Sequence, residues 1–407
     1  MAALPDLGPK AHIEHDGYLA MYAPESDLDG FHSLHFTVKR TYTFEPDAMI
    51  APTPWQRPVF TTDQYFEDAD PFESSLRFDS DLGPPKPATD VIVNALCYAP
   101  GGDAIQARPS VRVGDHRHEI LVVGNRIAWQ RAGGPIRFTP AESFSVLPIR
   151  YELAYGGVDR QHAMGPLMYA ANPLGAGFLM APSKDDPPRD RWTVLPNIEH
   201  PDRLLTPDTL LVPQEDREKW RVPAGFGPVP KHWEPRAGRA GMPPGAKPLW
   251  KLIHGDKDPN GERFPEMKPT FWNAATPGLH VPTLDGHEKI TLRHLHRDRE
   301  DLVLRLPITK PKLRVAINDR AAEAVKLSLD TVHIEVETTE VMLNWRGTVR
   351  PGLPDLDALK RVLMEIDGEI VLPAPLIGTG FPKDLLTGDF PGPDILQMKG
   401  IPKPGGG

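Results

Sequence analysis

Residues 31–45, which read FHSLHFTVKRTYTFE, decide the fold class of this chain. Leu34, Phe36 and Val38 recur at every second position, with polar residues between them. A period of two in a run rich in aromatic and β-branched residues is typical of a β-strand with two different faces. We therefore predict a strand here, and such a strand needs neighbours.

Further segments share this strand pattern, because each is short, apolar and bounded by turn residues. They span residues 89–98, 109–113, 118–124, 143–155, 288–307, 312–317, 324–329, 331–337 and 341–345. The last two are predicted to pair as a hairpin around residues 338–340. Short strands at this spacing favour a sandwich or a barrel.

One helix is predicted, over residues 355–367, where apolar residues recur at helical spacing and Gly368 stands in the position of a C-cap. Other helices are disfavoured because prolines account for 48 of the 407 residues, roughly 12% against about 5% on average. Proline breaks helix interiors and cannot donate to a strand ladder. The predicted fold is therefore mainly β, with antiparallel sandwich-like or barrel-like sheets, long ordered loops rich in Pro, Gly and Trp, and few short helices.

Changes in composition divide the chain into parts. There are 18 prolines between residues 181 and 280, together with several tryptophans that need to be covered. The predicted parts are an N-terminal segment (1–30), an N-terminal β-rich part (31–180), an irregular Pro/Trp-rich segment (181–282), a C-terminal β-rich part with one helix (283–375) and a Pro/Gly-rich tail (376–407).

Charge and cysteine content limit the possible functions. The net charge is −9 and no basic block stands out, so binding to nucleic acid, which depends on phosphate neutralisation, is not expected. The single cysteine, Cys97, cannot form an internal disulfide. The N-terminus lacks the pattern of a signal peptide, and no apolar run is long enough to span a membrane. We expect a cytoplasmic protein that binds neither nucleic acid nor membrane.

Candidate catalytic or metal-binding residues are few. His116 with His118, and His294 with His296, stand two apart, which on a strand places both rings on one face, but a metal site needs further ligands. The acidic residues within 67–81 are more simply interpreted as a solvated loop than as a glycosidase pair. Nucleophile-elbow, phosphate-loop and dinucleotide motifs are absent from the sequence. A carbohydrate-active hydrolase or a metal-binding enzyme stays open as an alternative, and no cofactor is predicted.

Some polar residues lie in or beside apolar strands and are predicted to have structural partners. Lys86 and Asp90 are four residues apart in a proline-rich stretch and are predicted to form an ion pair. Arg126 is predicted either to stack on Trp129 or to bond to backbone carbonyls. The Gly-Gly pair at 156–157 follows a strand and is predicted to form a turn that needs positive φ.

Ten blocks in a fixed order resemble the bacterial family called domain of unknown function 2169. They are residues 74–77 (SSLR), 80–90 (SDLGPPKPATD), 99–102 (APGG), 123–126 (VGNR) with Trp129, 148–157 (PIRYELAYGG), 172–178 (NPLGAGF), 195–199 (LPNIE), 223–228 (PAGFGP) with Trp233 and Arg236, 330–332 (DTV) and 345–347 (WRG). Together they cover about residues 30–350. One departure follows residue 238, where RAGMPP replaces a short Thr-Tyr-Asp-like continuation.

The resemblance implies an adaptor or chaperone of the type VI secretion system, which helps to load a toxic effector onto the spike protein or the spike tip. The family has no established catalytic residues, so none is assigned. The residues that match its motifs, without an assigned role, are Lys86, Asp90, Asn125, Arg126, Trp129, Tyr155, Gly156, Gly157, Asn172, Gly175, Gly177, Trp345 and Arg346.

Contacts with a partner are predicted at Trp233, Arg236, Trp250 and Trp272, because Trp and Arg are frequent energetic anchors of interfaces. The alternative for each tryptophan is that its own chain covers it. Two further alternatives for the whole protein stay open, namely the enzyme described above and a structural component of the secreted spike.

Overall fold

The structure is a computed structural model, and it describes residues 11–12, 18–26, 32–68, 70–216, 222–234, 236–240, 268–354 and 356–371. Across these residues the protein is mainly β, with many antiparallel sheets, few short helices and no closed barrel. The predicted fold class is therefore confirmed.

The strands are short and numerous. In chain order they are β1 Ala11–His12, β2 Leu19–Ser26, β3 His32–Thr43, β4 Ala51–Pro52, β5 Trp55–Gln56, β6 Gln64–Tyr65, β7 Leu76–Phe78, β8 Thr89–Asn94, β9 Leu96–Tyr98, β10 Gln106–Ala107, β11 Ser110–Val113, β12 His116–Glu119, β13 Leu121–Val123, β14 Ile127–Gln130, β15 Ile136–Phe138, β16 Val146–Pro148, β17 Tyr155–Gly156, β18 Val158–Asp159, β19 Leu167–Met168, β20 Ala176–Gly177, β21 Leu179–Met180, β22 Arg191–Val194, β23 Ile198–Glu199, β24 Leu211–Val212, β25 His280–Val281, β26 Lys289–His296, β27 Arg299–Arg305, β28 Leu313–Ile317, β29 Glu323–Val325, β30 Ser328–Glu335, β31 Glu340–Val349, β32 Val362–Ile366 and β33 Glu369–Val371.

Helical segments are brief. The α-helix α1 spans Arg236–Arg239, and 3-10 turns span Phe66–Asp68, Pro100–Gly102, Tyr151–Leu153, Gln214–Asp216, Pro269–Trp272, Pro277–Leu279 and Leu356–Ala358.

The largest sheet joins strands from both ends of the chain. Its order is β2–β3–β31–β30–β8–β25, and β4 pairs with the end of β3. β3 is antiparallel to β2 and β31, whereas β8 runs parallel to β30. The predicted hairpin is confirmed, because β30 and β31 are antiparallel and Thr339 between them has a φ of 54°. The two β-rich parts of the sequence thus share one sheet.

One large hydrophobic core lies against this sheet. It contains side chains from β3, β8, β11, β26, β28, β30, β31 and β32. Leu34, Phe36 and Val38 of β3 are completely buried in it, as the period-two pattern predicts. A smaller core lies beneath the sheet β15–β14–β22 and contains Ala128 and Leu179.

The predicted helix over residues 355–367 is wrong. The structure has a 3-10 turn at Leu356–Ala358 and then β32, which pairs with β28 and β33. Every second residue of β32 is buried, so the apolar residues follow the period of a strand rather than that of a helix. Gly368 is not a helix cap. With Asp367 it forms a two-residue hairpin turn in which both residues have positive φ, and Asp-Gly is a strong signal for such a turn.

Candidate functional site

The polar face of the largest sheet is buried. Its side chains are Thr37, Lys39 and Thr41 on β3, Asp90 and Asn94 on β8, Thr331, His333 and Glu335 on β30, and Asn344 and Arg346 on β31. Buried polar groups need hydrogen-bonding partners, because an unpaired group pays a desolvation penalty. Other parts of the chain supply these partners.

Residues 56–68 and 70–87, here called the covering segment, lie across the polar face. Lys39 Nζ donates to Asp81 Oδ2 at 2.7 Å, and the same oxygen accepts the Phe60 N–H at 2.7 Å. The other carboxylate oxygen of Asp81 accepts from Asn344. Burial lowers the pKa of Lys39, and the Asp81 charge opposes that shift. The covering segment is therefore joined to β3 and β31 through one carboxylate.

Arg346 joins the sheet to the far end of the covering segment. Its Nη1 lies 3.1 Å from both carboxylate oxygens of Asp330, and its Nε donates to the Asp81 carbonyl at 2.8 Å. Asp330 also accepts the Lys86 N–H at 3.2 Å. Lys86 Nζ donates to Asp90 Oδ2 at 2.6 Å, so the predicted Lys86–Asp90 ion pair is confirmed.

A further group of charges connects the covering segment to α1. Asp79 Oδ1 accepts from Arg236 Nη1 and from Lys231 Nζ, both at 3.0 Å, and Lys231 also donates to Asp63. Burial alone would raise the pKa of Asp79, but the charges of Arg236 and Lys231 outweigh it and hold that pKa well below its usual range. Arg236 Nε additionally donates to the Phe271 carbonyl at 2.8 Å.

These interactions form a balanced charge network. Its cations are Lys39, Lys86, Lys231, Arg236 and Arg346, and its anions are Asp63, Asp79, Asp81, Asp90 and Asp330. A narrow cavity beside Lys39, Lys86 and Arg346 has free space for roughly one water molecule. Because its charges balance, the network holds the covering segment in place. Because its cavity is almost filled, that cavity has no room for a substrate.

An exposed aromatic surface lies on the small sheet β15–β14–β22. Trp129 of β14 lies directly opposite Trp192 of β22, and Ile127 lies directly opposite Val194. These four residues, here called the Trp face, are between 38% and 43% exposed. Residues two apart on a strand share one face of the sheet, so the four form a single apolar patch. Ala128, on the reverse face, is buried in the smaller core.

Two exposed arginines border the Trp face. Arg137 lies opposite Trp129 in the register, and its guanidinium carbon is 5.7 Å from the centroid of that ring. Arg131 follows Trp129 by two positions. Within the described part of the chain, neither guanidinium forms a salt bridge. The nearby Asp190 uses one carboxylate oxygen to accept the Ala132 N–H at 2.8 Å.

The outer edge of β22 is occupied by a side chain. Gln161 donates from its amide to the Trp192 carbonyl at 2.5 Å and accepts the Trp192 N–H at 3.2 Å. It thereby occupies both backbone groups of Trp192, which an additional strand would otherwise use. At this position the sheet offers its aromatic face for contacts, and not its edge.

Comparison with known proteins identifies the family. Residues 29–346, most of the chain, match the family described as "Uncharacterized protein conserved in bacteria (DUF2169)". The chain belongs to this family. No curated protein and no solved structure gives a significant match. The matched residues include both the charge network and the Trp face of this DUF2169 protein.

Two residues predicted to contact a partner are core residues of the DUF2169 protein. Trp233 is 1% exposed and packs edge-on against Tyr151, with ring centroids 5.6 Å apart. Arg236 is equally buried and is paired with Asp79. The prediction is corrected for both, because neither side chain has surface left for a partner.

The other two predicted contact residues have different outcomes. Trp272 is partly buried and lies against Gly83, where an added Cβ would be 2.7 Å from the indole ring. A glycine is thus needed beneath Trp272, and that contact is internal. Trp250 lies outside the described residues.

Arg126 takes one of its two predicted roles. It donates to the Pro196 carbonyl at 2.9 Å and to Glu199 at 2.5 Å, so it bonds to the backbone and does not stack on Trp129. The cation over Trp129 is Arg137 instead.

Other residues of the family motifs make internal contacts. Trp345 is 2% exposed. The Tyr155 ring centroid is 5.2 Å from that of Tyr169, and Asn125 Nδ2 donates to Glu142 at 3.1 Å. These contacts support the fold and bring no reactive group to a cavity.

The glycine-rich motifs bring two stretches of backbone close together. Gly157 and Gly177 have φ of 93° and 92°, which confirms the predicted positive φ at 157. A Cβ at Gly157 would lie 2.2 Å from the Gly175 carbonyl oxygen, and one at Gly156 would lie 2.2 Å from the Asn172 carbonyl oxygen. The Asn172 side chain is buried and donates to two backbone carbonyls at 2.8 and 3.1 Å. Only glycine permits this approach.

Neither histidine pair belongs to a metal-binding cluster in the described ranges. His116 and His118 both lie on β12, but the His118 ring packs against Phe226, and burial lowers the His118 pKa to about 4. His294 has a φ of 55° at a bulge, so the expectation that His294 and His296 share a strand face does not hold.

The solvated-loop interpretation of residues 67–81 is wrong in part. Glu67 and Asp70 are exposed, but Asp79 and Asp81 are buried in the charge network. Sequence position alone does not reveal this, because the cations that neutralise the two carboxylates lie far away in the chain.

One arrangement resembles a nucleophile with its base. His35 Nδ1 lies 2.8 Å from Thr348 Oγ1, and His35 Nε2 lies 2.6 Å from Glu25 Oε2. The three residues are neighbours across β2, β3 and β31, where such contacts follow from strand register. They line neither the cavity beside Lys39 nor a second cavity beneath the Trp face.

None of the helices within the described ranges is long and apolar enough to cross a membrane.

Proposed function

We propose that this DUF2169 protein is a cytoplasmic adaptor of the type VI secretion system, which binds a toxic effector and helps to load it onto the spike protein or the spike tip. The proposal combines the resemblance of the sequence motifs to secretion accessory proteins with one structural observation, the exposed Trp face.

The Trp face supports a binding role because exposed paired tryptophans are unfavourable unless something covers them. Trp is among the residues most enriched in the energetic centres of interfaces. About 38% of each indole is exposed, which is about 100 Å² of a side chain of about 250 Å². At about 25 cal/mol per Å², covering each ring contributes about 2.5 kcal/mol, or roughly a 60-fold change in affinity.

The charge network supports a scaffold role. Its charged groups are paired and its cavity has space for roughly one water molecule. Such a network supplies a rigid body on which a binding face can be presented, and it provides no open position for a substrate.

The test is affinity purification of the tagged protein from its native bacterium, with mass spectrometry of the proteins that come with it. The proposal expects a spike or spike-tip protein and a toxin-like protein. Recovery of neither, from cells that express the secretion system, would contradict it. Permanent association with secreted spike would favour the alternative of a structural spike component.

The enzyme alternative has its own test. If His35 activates Thr348, the protein hydrolyses a carbohydrate or ester substrate in a panel, and Thr348→Val abolishes that turnover. Stoichiometric bound metal in the purified protein would favour a metal-binding enzyme.

A further inference from the structure

The size of the Trp face limits what can cover it. The four residues lie on two neighbouring strands, which are about 5 Å apart, and β14 is about 13 Å long. A standard protein interface buries about 800 Å² on each partner, more than twice the exposed area of this patch. The patch therefore fits a short segment better than the surface of a whole domain.

The charge around the Trp face is opposite to that of the whole chain. The chain carries a net charge of −9. Arg137, opposite Trp129 in the register, and Arg131, two residues after Trp129, have no salt-bridge partner within the described ranges, and one oxygen of the Asp190 carboxylate accepts a backbone N–H. An arginine beside an aromatic ring can stack on it and still donate its N–H groups to a carboxylate.

A second copy of this chain is a poor occupant for the Trp face. In a two-fold interface each patch meets itself. The two arginines of one copy would then be brought close to the two arginines of the other, and like charges in contact are unfavourable. A neutral polysaccharide would use the rings but would leave both guanidinium groups without carboxylates.

We infer that the Trp face binds a short acidic segment of a partner protein. Aromatic or proline side chains of that segment cover Trp129 and Trp192, and its carboxylates meet Arg131 and Arg137. The inference rests on the proposed function only in taking the partner to be a protein.

The experiment is selection of a displayed random-peptide library on the immobilised full-length protein. Enriched peptides are synthesised, and their affinities are measured by fluorescence anisotropy. The variants are Trp129→Ala/Trp192→Ala and Arg131→Glu/Arg137→Glu, and Arg314→Glu is the control for an exposed arginine elsewhere. Circular dichroism and thermal unfolding establish that each variant is folded.

The expected peptides combine Asp or Glu with aromatic residues or proline. Each double variant weakens their binding by about tenfold or more, which corresponds to about 1.4 kcal/mol, and Arg314→Glu leaves it unchanged. Peptides with Lys in place of the acidic residues bind Arg131→Glu/Arg137→Glu more tightly than the wild type. A merely structural role of the arginines would not produce this reversal of preference.

Other outcomes overturn the inference. Enriched peptides that are neutral or basic would do so, as would binding that survives both double variants. Tighter binding of a single-stranded oligonucleotide, lost in the arginine variant, would indicate a nucleic-acid surface instead. If no acidic peptide binds but secretion proteins are recovered from the bacterium in a Trp-dependent way, this inference fails and the proposed function stands. If acidic peptides bind but no secretion protein is recovered from the bacterium, this inference stands and the proposed function fails.

Discussion

Replacing Arg346 by methionine tests whether the charge network holds the fold together. Arg346 and Asp330 are only 3% and 1% exposed at their side chains. Removing one member of a buried pair leaves an uncompensated charge and costs about 3–5 kcal/mol. The substitution also removes the donor to the Asp81 carbonyl at 2.8 Å. We expect the free energy of unfolding to fall by about 4 kcal/mol, a large part of the 5–15 kcal/mol that is usual for a folded protein.

The measurement is urea denaturation followed by tryptophan fluorescence. Arg314→Met is the matched control, because Arg314 is 52% exposed and 3.8 Å from Glu365, and exposed pairs contribute about 0–1 kcal/mol. Arg346→Met/Asp330→Asn should recover part of the loss, because it removes both charges. A loss for Arg346→Met no larger than for Arg314→Met, or no recovery in the double variant, would refute this account of the network.

Three further predictions concern pH, backbone approach and thiol burial. Burial lowers the pKa values of His118 and His232 to about 4, below the value of about 6.5 in the unfolded chain. The unfolded chain therefore binds more protons between these values, so the free energy of unfolding should be highest above about pH 6.5 and fall as the pH drops towards 4. The urea midpoint should change less with pH across this range for His118→Gln/His232→Gln than for the wild type. An unchanged pH dependence in this variant would contradict the assignment. Gly157→Ala should unfold at a clearly lower urea concentration than the wild type, since its Cβ would lie 2.2 Å from a carbonyl oxygen. Gly133 also has positive φ but has no atom within 4 Å of an added Cβ, so Gly133→Ala should lose less stability. Equal losses of stability in the two variants would show that φ alone matters. Cys97 is completely buried, and burial raises its thiol pKa to about 12, so a thiol reagent should label it only after denaturation, and rapid labelling of the native protein would show that the core is open there.

The strands were predictable because their signal is local. The alternation of Leu34, Phe36 and Val38 is visible within a few residues. What covers the polar face is not local, since Arg346 and Asp81 are 265 residues apart in the chain. Alternating polar residues usually face solvent in an antiparallel sheet, and only the folded chain shows that the covering segment lies over them.

The helix error has a local cause. Residues 362–366 satisfy both a helical and a strand pattern, and the neighbours β28 and β33 decide in favour of the strand. Asp367-Gly368 is a recognisable hairpin signal in the sequence, because the dipeptide follows a segment with apolar residues at every second position, Val362, Met364 and Ile366.

The choice of Trp233 as a contact with a partner failed for a different reason. The density of tryptophans along the chain does not report exposure, and Trp233 proved to be core. The signal for the Trp face was present as two apolar residues two apart in each of two segments, Ile127 with Trp129 and Trp192 with Val194. Their pairing joins segments about sixty residues apart, which no local pattern reveals.

The most direct test of the central claim compares tagged wild-type protein with Trp129→Ala/Trp192→Ala in the native bacterium. The amounts of effector and spike protein recovered with each are measured by quantitative mass spectrometry, and Trp55→Ala is the control because Trp55 is 50% exposed on a different sheet. The account predicts loss of the effector, the spike protein or both from the double variant, with thermal stability and the Trp55→Ala recovery unchanged. Full recovery of both partners by the folded double variant would contradict it.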